Sequence, residues 1–271
     1  MDETALSSVP ADAALDLALA SGDFRLYRQA IVPLRGGCAG ATQYEILVRM
    51  GGPDGAVIEP ADFMPEAERR ALLTAVERWV VAALVAHLDA LWRAGGVPEA
   101  LGECGYYAVN LSGASFNDPT FPDFLRDVLA RHPLPTRLLG FEITETTVIR
   151  DLAGAARLMR EFQQLGCRYA LDDFGTGLAS FDYLRNLPVN AVKIAAQFVQ
   201  GMATDAVDAA IVDAIQRVCQ VAGLPTVAEG VEDEATLAAV RKAGIDFAQG
   251  YYIARPEPIA LADAEHGSRR R

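Results

Sequence analysis

Four cysteines in 271 residues (Cys38, Cys104, Cys167 and Cys219) stand far apart, with no Cys-x-x-Cys pair. That spacing argues against a zinc ribbon or a disulfide frame and fits reduced cytosolic thiols. The three histidines, His87, His132 and His266, form no motif. Positive charge is also scarce: 24 lysines and arginines face 36 acids, a net charge of −12. An excess of that sign argues against a surface for nucleic-acid polymers, and an anionic ligand would need a bound metal or a few placed basic groups. No apolar run reaches the roughly 20 residues that span a bilayer. The N-terminus carries acids where a signal peptide carries basic residues. The expectation is a cytoplasmic protein without a membrane span. No low-complexity linker cuts the chain, which reads as one domain with a frayed basic tail at Arg269–Arg271.

What is present is a globular composition, 51% hydrophobic and 22% charged. An alanine- and leucine-rich stretch, Pro10 to Gly22, reads as a leading helix. Arg25–Leu34 and Gln43–Met50 read as strands, joined by a turn too short for a helix, hence an antiparallel hairpin. A long helical region follows from about Pro60 to Ala94. Strand cores then recur at Tyr106–Asn110, Leu138–Ile143, Tyr169–Leu171, Ala191–Ile194, Thr226–Ala228 and Asp246–Gln249, with helical stretches such as Leu152–Leu165, Val207–Ala222 and Glu234–Ala243 between them. Eight strands with helical crossovers predict an α/β fold, a TIM-like (β/α)8 barrel with an antiparallel first strand.

Leu171-Asp172-Asp173-Phe174-Gly175-Thr176-Gly177 is the most informative stretch. Neighbouring side chains of a strand point to opposite faces, so two adjacent acids converge only where the strand ends and bends. Such a bend is either a cradle for hard divalent cations or an acidic surface turn. Polar residues recur at other strand ends, where barrel enzymes keep their chemistry. Alternation puts Glu45 and Arg49 on one face, as partners around an anion or as an in-sheet salt bridge. Asn110 is a neutral oxygen ligand or a turn cap. Glu142 lies within an apolar run, whereas Glu145 also suits a helix-capping box. Lys193 ends an otherwise apolar strand, a costly position unless it meets an acid or a substrate. Glu229 and Gln249 close the series.

The ordered set Glu45-Ile46-Leu47-x-Arg49, Asn110-Leu111-Ser112, Glu142-Ile143-Thr144-Glu145, Asp172-Asp173-Phe174-Gly175-Thr176-Gly177, Lys193, Ala228-Glu229-Gly230-Val231-Glu232 and Gln249-Gly250-Tyr251 resembles the EAL-domain family, bacterial phosphodiesterases of cyclic di-GMP. The resemblance covers residues 24–258, leaving 1–23 as a leading helix or linker and 259–271 as a tail. It implies hydrolysis of cyclic di-GMP to linear pGpG. It implies that Glu45, Asn110, Glu142 and Asp172 hold a first Mg²⁺ or Mn²⁺, and that Asp172 and Asp173 bring in a second. Two such metals clamp the attacking and leaving oxygens of an in-line displacement. By the same resemblance Lys193 orients the attacking water, and Glu45 and Glu229 are needed for catalysis. Glu145 shapes the loop after Asp173, and Gln29, Arg49 and Gln249 lie near the substrate. It further implies a homodimer paired around Phe174–Asn186.

Three positions depart from the family pattern. Ile46 replaces the usual alanine, and Ala30 stands where a proline usually follows Gln29. Ala195 stands where the family usually has aspartate. That aspartate either steadies Lys193 and the second metal or caps the following helix, in which case its loss costs only about 1 kcal/mol. The alternative to an enzyme is therefore an EAL module that binds cyclic di-GMP, or a protein partner, without cleaving it.

Overall fold

The computed structural model describes residues 11–35, 41–52, 55–97, 101, 105–144, 151–177 and 180–260. Ten strands share one sheet: β1 (Phe24–Pro33), β2 (Gln43–Gly51), β3 (Val57–Ile58), β4 (Tyr107–Leu111), β5 (Leu139–Thr144), β6 (Arg168–Phe174), β7 (Ala191–Ile194), β8 (Thr226–Ala228), β9 (Phe247–Ala248) and β10 (Glu257–Pro258). β1 pairs antiparallel with β2, Phe24 opposite Met50 through Ile31 opposite Gln43. From β2 the sheet continues in parallel through β4, β5, β6, β7, β8 and β9. β9 then meets β1 antiparallel at Val32–Ala248 and Pro33–Phe247. The result is a closed eight-strand barrel whose first strand runs against both neighbours, and closure removes the exposed edges. The two-residue strands β3 and β10 extend β2 and β1 outside the closed ring.

Every residue of β7 and β8, and all but the last of β5, is buried. Parallel strands covered on both faces need such continuous apolar runs, which is why these short segments stand out in the sequence. The covering helices are α1 (Ala11–Ser21), α2 (Pro60–Arg69), α3 (Leu73–Arg93), α4 (Gly113–Asn117), α5 (Phe121–Arg131), α6 (Leu152–Leu165), α7 (Ser180–Asn186), α8 (Ala196–Gly201), α9 (Ala206–Ala222) and α10 (Glu234–Ala243). Three of them carry complete end signals. Asp151, Asp205 and Asp233 accept from backbone N–H groups of α6, α9 and α10, and Gly166, Gly223 and Gly244 close those helices in the left-handed conformation. The leading helix α1 packs onto the body through Leu15 and Ala18, both buried. No described helix is long and apolar enough to cross a membrane.

The structure departs from the sequence reading in detail. The long helical region expected from about Pro60 to Ala94 is made of two helices, α2 and α3, with a turn between them at Ala71, φ +56°. Leu72 N–H bonds Ala67 C=O at 2.7 Å and Ala71 N–H bonds Glu68 C=O at 3.0 Å, a Schellman closure built on alanine. The break lets both helices bury a face, Phe63 and Ala67 on α2, Val80 and Leu84 on α3. Without glycine at the turn, local sequence carries no sign of it. β6 runs longer than Tyr169–Leu171 because an irregularity between Leu171 and Phe174 carries pairing past the acids. β9 is shorter than Asp246–Gln249, pairing only through Phe247 and Ala248.

Candidate functional site

Each barrel strand delivers one polar side chain to the same end of the barrel. Glu45 comes from β2, Asn110 from β4, Glu142 from β5, Asp172 from β6 and Lys193 from β7. Glu229 and Gln249 follow directly on β8 and β9. Gln29 joins them from β1 because the antiparallel register sets it opposite Glu45. Parallel neighbours are matched as closely, Asn110 opposite Glu142.

Lys193 is the hub. Its Nζ lies 2.7 Å from Glu229 Oε1, 2.8 Å from Glu142 Oε2, 3.1 Å from Asp172 Oδ1 and 3.6 Å from Glu45 Oε2. A shell of amides ties the acids together. Asn110 Nδ2 donates to Glu45 Oε1 at 2.7 Å, and Gln249 Nε2 donates to Glu45 Oε2 at 2.6 Å and Gln29 Oε1 at 3.1 Å. Gln29 Nε2 in turn donates to the Ala254 carbonyl at 2.9 Å. Gly250 is required beside Gln249: a Cβ there would overlap the Val231 backbone, whose N–H bonds Gln249 C=O at 3.0 Å.

Not every expected residue joins this cluster. Asp173 turns outward with φ +52° and is exposed, and it is not among the four acids at Lys193. Arg49 pairs with Glu59 at the start of α2, Nε to Oε2 at 2.6 Å, and lies over the Tyr27 ring. The in-sheet Glu45–Arg49 salt bridge does not form. Glu145 lies outside the described residues. Ala195 is the N-cap residue of α8, with no side-chain cap bond. Sequence reasoning misses Glu77, a buried acid on α3 that accepts from Ser112 N–H at 2.9 Å, two residues beyond Asn110. The signal was a glutamate set within the helical apolar series Val76, Val80, Val81 and Leu84.

The electrostatics follow from packing charge into a dry place. Lys193 and Glu142 are each 1% exposed. Burial opposes charge on Lys193, but Asp172, Glu142, Glu229 and Glu45 outweigh it and hold its pKa well above that of an ordinary lysine. Burial pushes Glu142 and Glu229 well above the usual carboxylate range; Lys193 pulls both down, and the neighbouring acids push them up again. Four acids thus share a single ammonium.

That donor set fits a hard divalent cation in its chemistry: carboxylate and amide oxygens, with no sulfur or imidazole. Gln249 Oε1 is buried and accepts no hydrogen bond, and Asp172 Oδ1 is buried with the Lys193 ammonium 3.1 Å away as its one charged partner among the described residues. Asn110 binds Glu45 through nitrogen, so its own oxygen is not used in that bond. The fit is chemical, since the acids close on Lys193 and no three described acids are already spaced around an ion.

The EAL domain profile matches residues 12–256. The cyclic di-GMP phosphodiesterase PdeB of Shewanella oneidensis is 37% identical over 243 residues, 90% of this chain and 28% of that protein. The cyclic di-GMP phosphodiesterase PdeF of Escherichia coli is 32% identical over 245 residues, 90% of this chain and 31% of that one. The chain therefore spans about three-tenths of the length of these curated relatives. A solved c-di-GMP complex of the PaMucR phosphodiesterase is similar with a TM-score of 0.81 and 33% identity, over 92% of this chain and 98% of that one.

Proposed function

The chain belongs to the EAL domain family, and from that premise we propose that it hydrolyses cyclic di-GMP to linear pGpG. The observation that carries the reading is the gathering of Glu45, Glu142, Asp172 and Glu229 around the buried Lys193 ammonium. A structural role accounts poorly for four acids drawn to one point at the catalytic end of a barrel.

In this reading Glu45, Asn110, Glu142 and Asp172 would hold Mg²⁺ or Mn²⁺, with Asp172 and Asp173 serving a second ion. Such ions, when bound, supply charge stabilisation on the phosphate oxygens and acidify water. The chain's own residues do the rest. Lys193, held by Glu142 and Glu229, presents N–H donors in a fixed direction and orients the attacking water. Glu229, 2.7 Å from that ammonium, is the carboxylate through which a proton of the water is held or passed. Gln249 and Gln29 brace Glu45, and Arg49 lends a guanidinium at the rim for the anionic substrate. Water oxygen forms a bond to phosphorus, the bond from phosphorus to a ribose O3′ breaks, and that oxygen leaves with a proton.

The test is incubation with cyclic di-GMP and Mg²⁺ or Mn²⁺, with chromatography for the linear product. Turnover should vanish in EDTA and in Glu45→Ala, while the variant keeps its melting transition. Full activity in EDTA would refute the reading. Tight binding without any product would instead make the protein a cyclic di-GMP receptor. We also infer a homodimer that pairs beside the end of β6, around Phe174–Asn186. Sedimentation that shows only monomer while turnover is full would overturn that link.

A further inference from the structure

Glu77 is a buried acid with no counter-cation among the described residues. It is 6% exposed on α3, and no lysine, arginine or histidine among the described residues forms an ion pair with it. Burial pushes its pKa up, against the bonds it accepts from Ser115 and Ser112. Its surroundings are mostly apolar: Val76, Val80, Ile46, Met64 and Val109, together with Asn110, line with it a cavity of about 210 Å³. A leucine would sit there without a desolvation cost. What the carboxylate does instead is hold a corner. Its Oε1 accepts from the Ser112 backbone N–H at 2.9 Å, and its Oε2 accepts a short hydrogen bond from the Ser115 hydroxyl. Ser112 is the N-cap of α4 and makes no side-chain cap bond of its own. α4 has five residues, too few to stand by itself. Both ends of the corner are thus fastened by one residue of another helix.

That corner begins two residues after Asn110. Asn110 Nδ2 reaches Glu45 Oε1 at 2.7 Å, so a shift of the corner moves the amide and the acid together. We propose that Glu77 is a positioning residue that fixes the end of β4, and through it sets Asn110 and Glu45 as oxygen donors for the divalent cation. The inference rests on the reading of the barrel-end cluster as a cation site. Glu77 touches neither substrate nor cation, and acts through Ser112 and Ser115. Outer hydrogen-bond partners of this kind typically change metal affinity about 10- to 100-fold when removed.

The experiment compares wild type, Glu77→Leu and Glu77→Gln in three measurements: Mn²⁺ titration by calorimetry without substrate, melting in EDTA, and backbone hydrogen exchange across 110–116. The leucine variant leaves the Ser112 N–H and the Ser115 hydroxyl without an acceptor, so it should melt somewhat below wild type but still fold, and bind Mn²⁺ about 10- to 100-fold more weakly, with faster exchange at Ser112. Glutamine keeps a carbonyl acceptor for the Ser112 N–H and should stay within about threefold of wild type. Equal Mn²⁺ affinity in wild type and the leucine variant would overturn the proposal. So would a glutamine variant as weak as the leucine one, because charge and not position would then govern the site. If Glu77→Leu does not fold, Ser115→Ala removes one of the two bonds; it should weaken Mn²⁺ in the same direction, and no change would overturn the proposal. Wild-type protein that takes up no Mn²⁺ would defeat the cation reading itself and this inference with it, an outcome visible in the control alone.

Discussion

Replacing Lys193 by methionine would remove the one cation that contacts Glu45, Glu142, Asp172 and Glu229 among the described residues, while keeping a long side chain in a site 1% exposed. Breaking a buried ion pair by deleting one partner costs about 3–5 kcal/mol, because the other charge stays buried and unpaired. For a domain of this size each kcal/mol moves the melting temperature by about 2–4 °C, so roughly 6–20 °C should be lost in EDTA. The pH dependence has a definite sign. Glu142 and Glu229 have folded pKa values raised by burial, so their contribution is present below the unfolded carboxylate range and is lost as pH rises through the folded values. Lys193 is likewise raised, so its charged form contributes at every pH below the ordinary lysine range, including neutral pH. In Lys193→Met the acids lose their counter-charge and their pKa values rise further. The loss relative to wild type should therefore be largest at neutral and alkaline pH and shrink towards about pH 4–4.5. Added Mg²⁺ should stabilise the variant more than the wild type, since a cation bound only to folded protein adds stability by mass action. Melting curves from pH 5 to 8, with EDTA and with Mg²⁺, measure all of this. A loss under about 2 °C in EDTA that does not vary with pH would refute the view that the ammonium balances the acids.

Other changes probe the frame around the site. Ala71→Gly relieves a left-handed alanine worth about 1–2 kcal/mol of strain but loosens the unfolded chain, so a net gain of about 0.5–1 kcal/mol is expected in chemical denaturation; destabilisation would contradict the closure described at Ala71. Ala195→Asp supplies the missing cap of α8 and should add about 1 kcal/mol with turnover within about twofold. A tenfold rise in turnover, about 1.4 kcal/mol of transition-state stabilisation, would show instead that position 195 acts on the reaction. Gly250→Ala should cost upwards of about 1–3 kcal/mol through overpacking against Val231 and should also weaken Mn²⁺ binding by displacing Gln249, which calorimetry would read.

The ends of α6, α9 and α10 were legible because aspartate and glycine mark them locally, by chemistry that acts within one turn. The buried strands β5, β7 and β8 were legible because a parallel barrel strand must be apolar on both faces. The order of polar residues at strand ends was enough to point to a barrel-end site and to the family. What local sequence could not decide is how those residues divide the work of neutralising one another. Asp172 and Asp173 are chemically identical neighbours, and only the bend at the end of β6 sends one to Lys193 and the other outward. Arg49 shares a strand with Glu45, yet α2 brings Glu59 to it first. The turn at Ala71 exists because two helices must each bury a face against the barrel, not because alanine favours it. Lys193 becomes the hub only when barrel closure brings five strand ends together in a place too dry to leave charge unpaired. Capping and alternation act over a few residues and so are written in the chain itself; charge pairing and closure act between residues far apart in the chain, and only the folded barrel decides them.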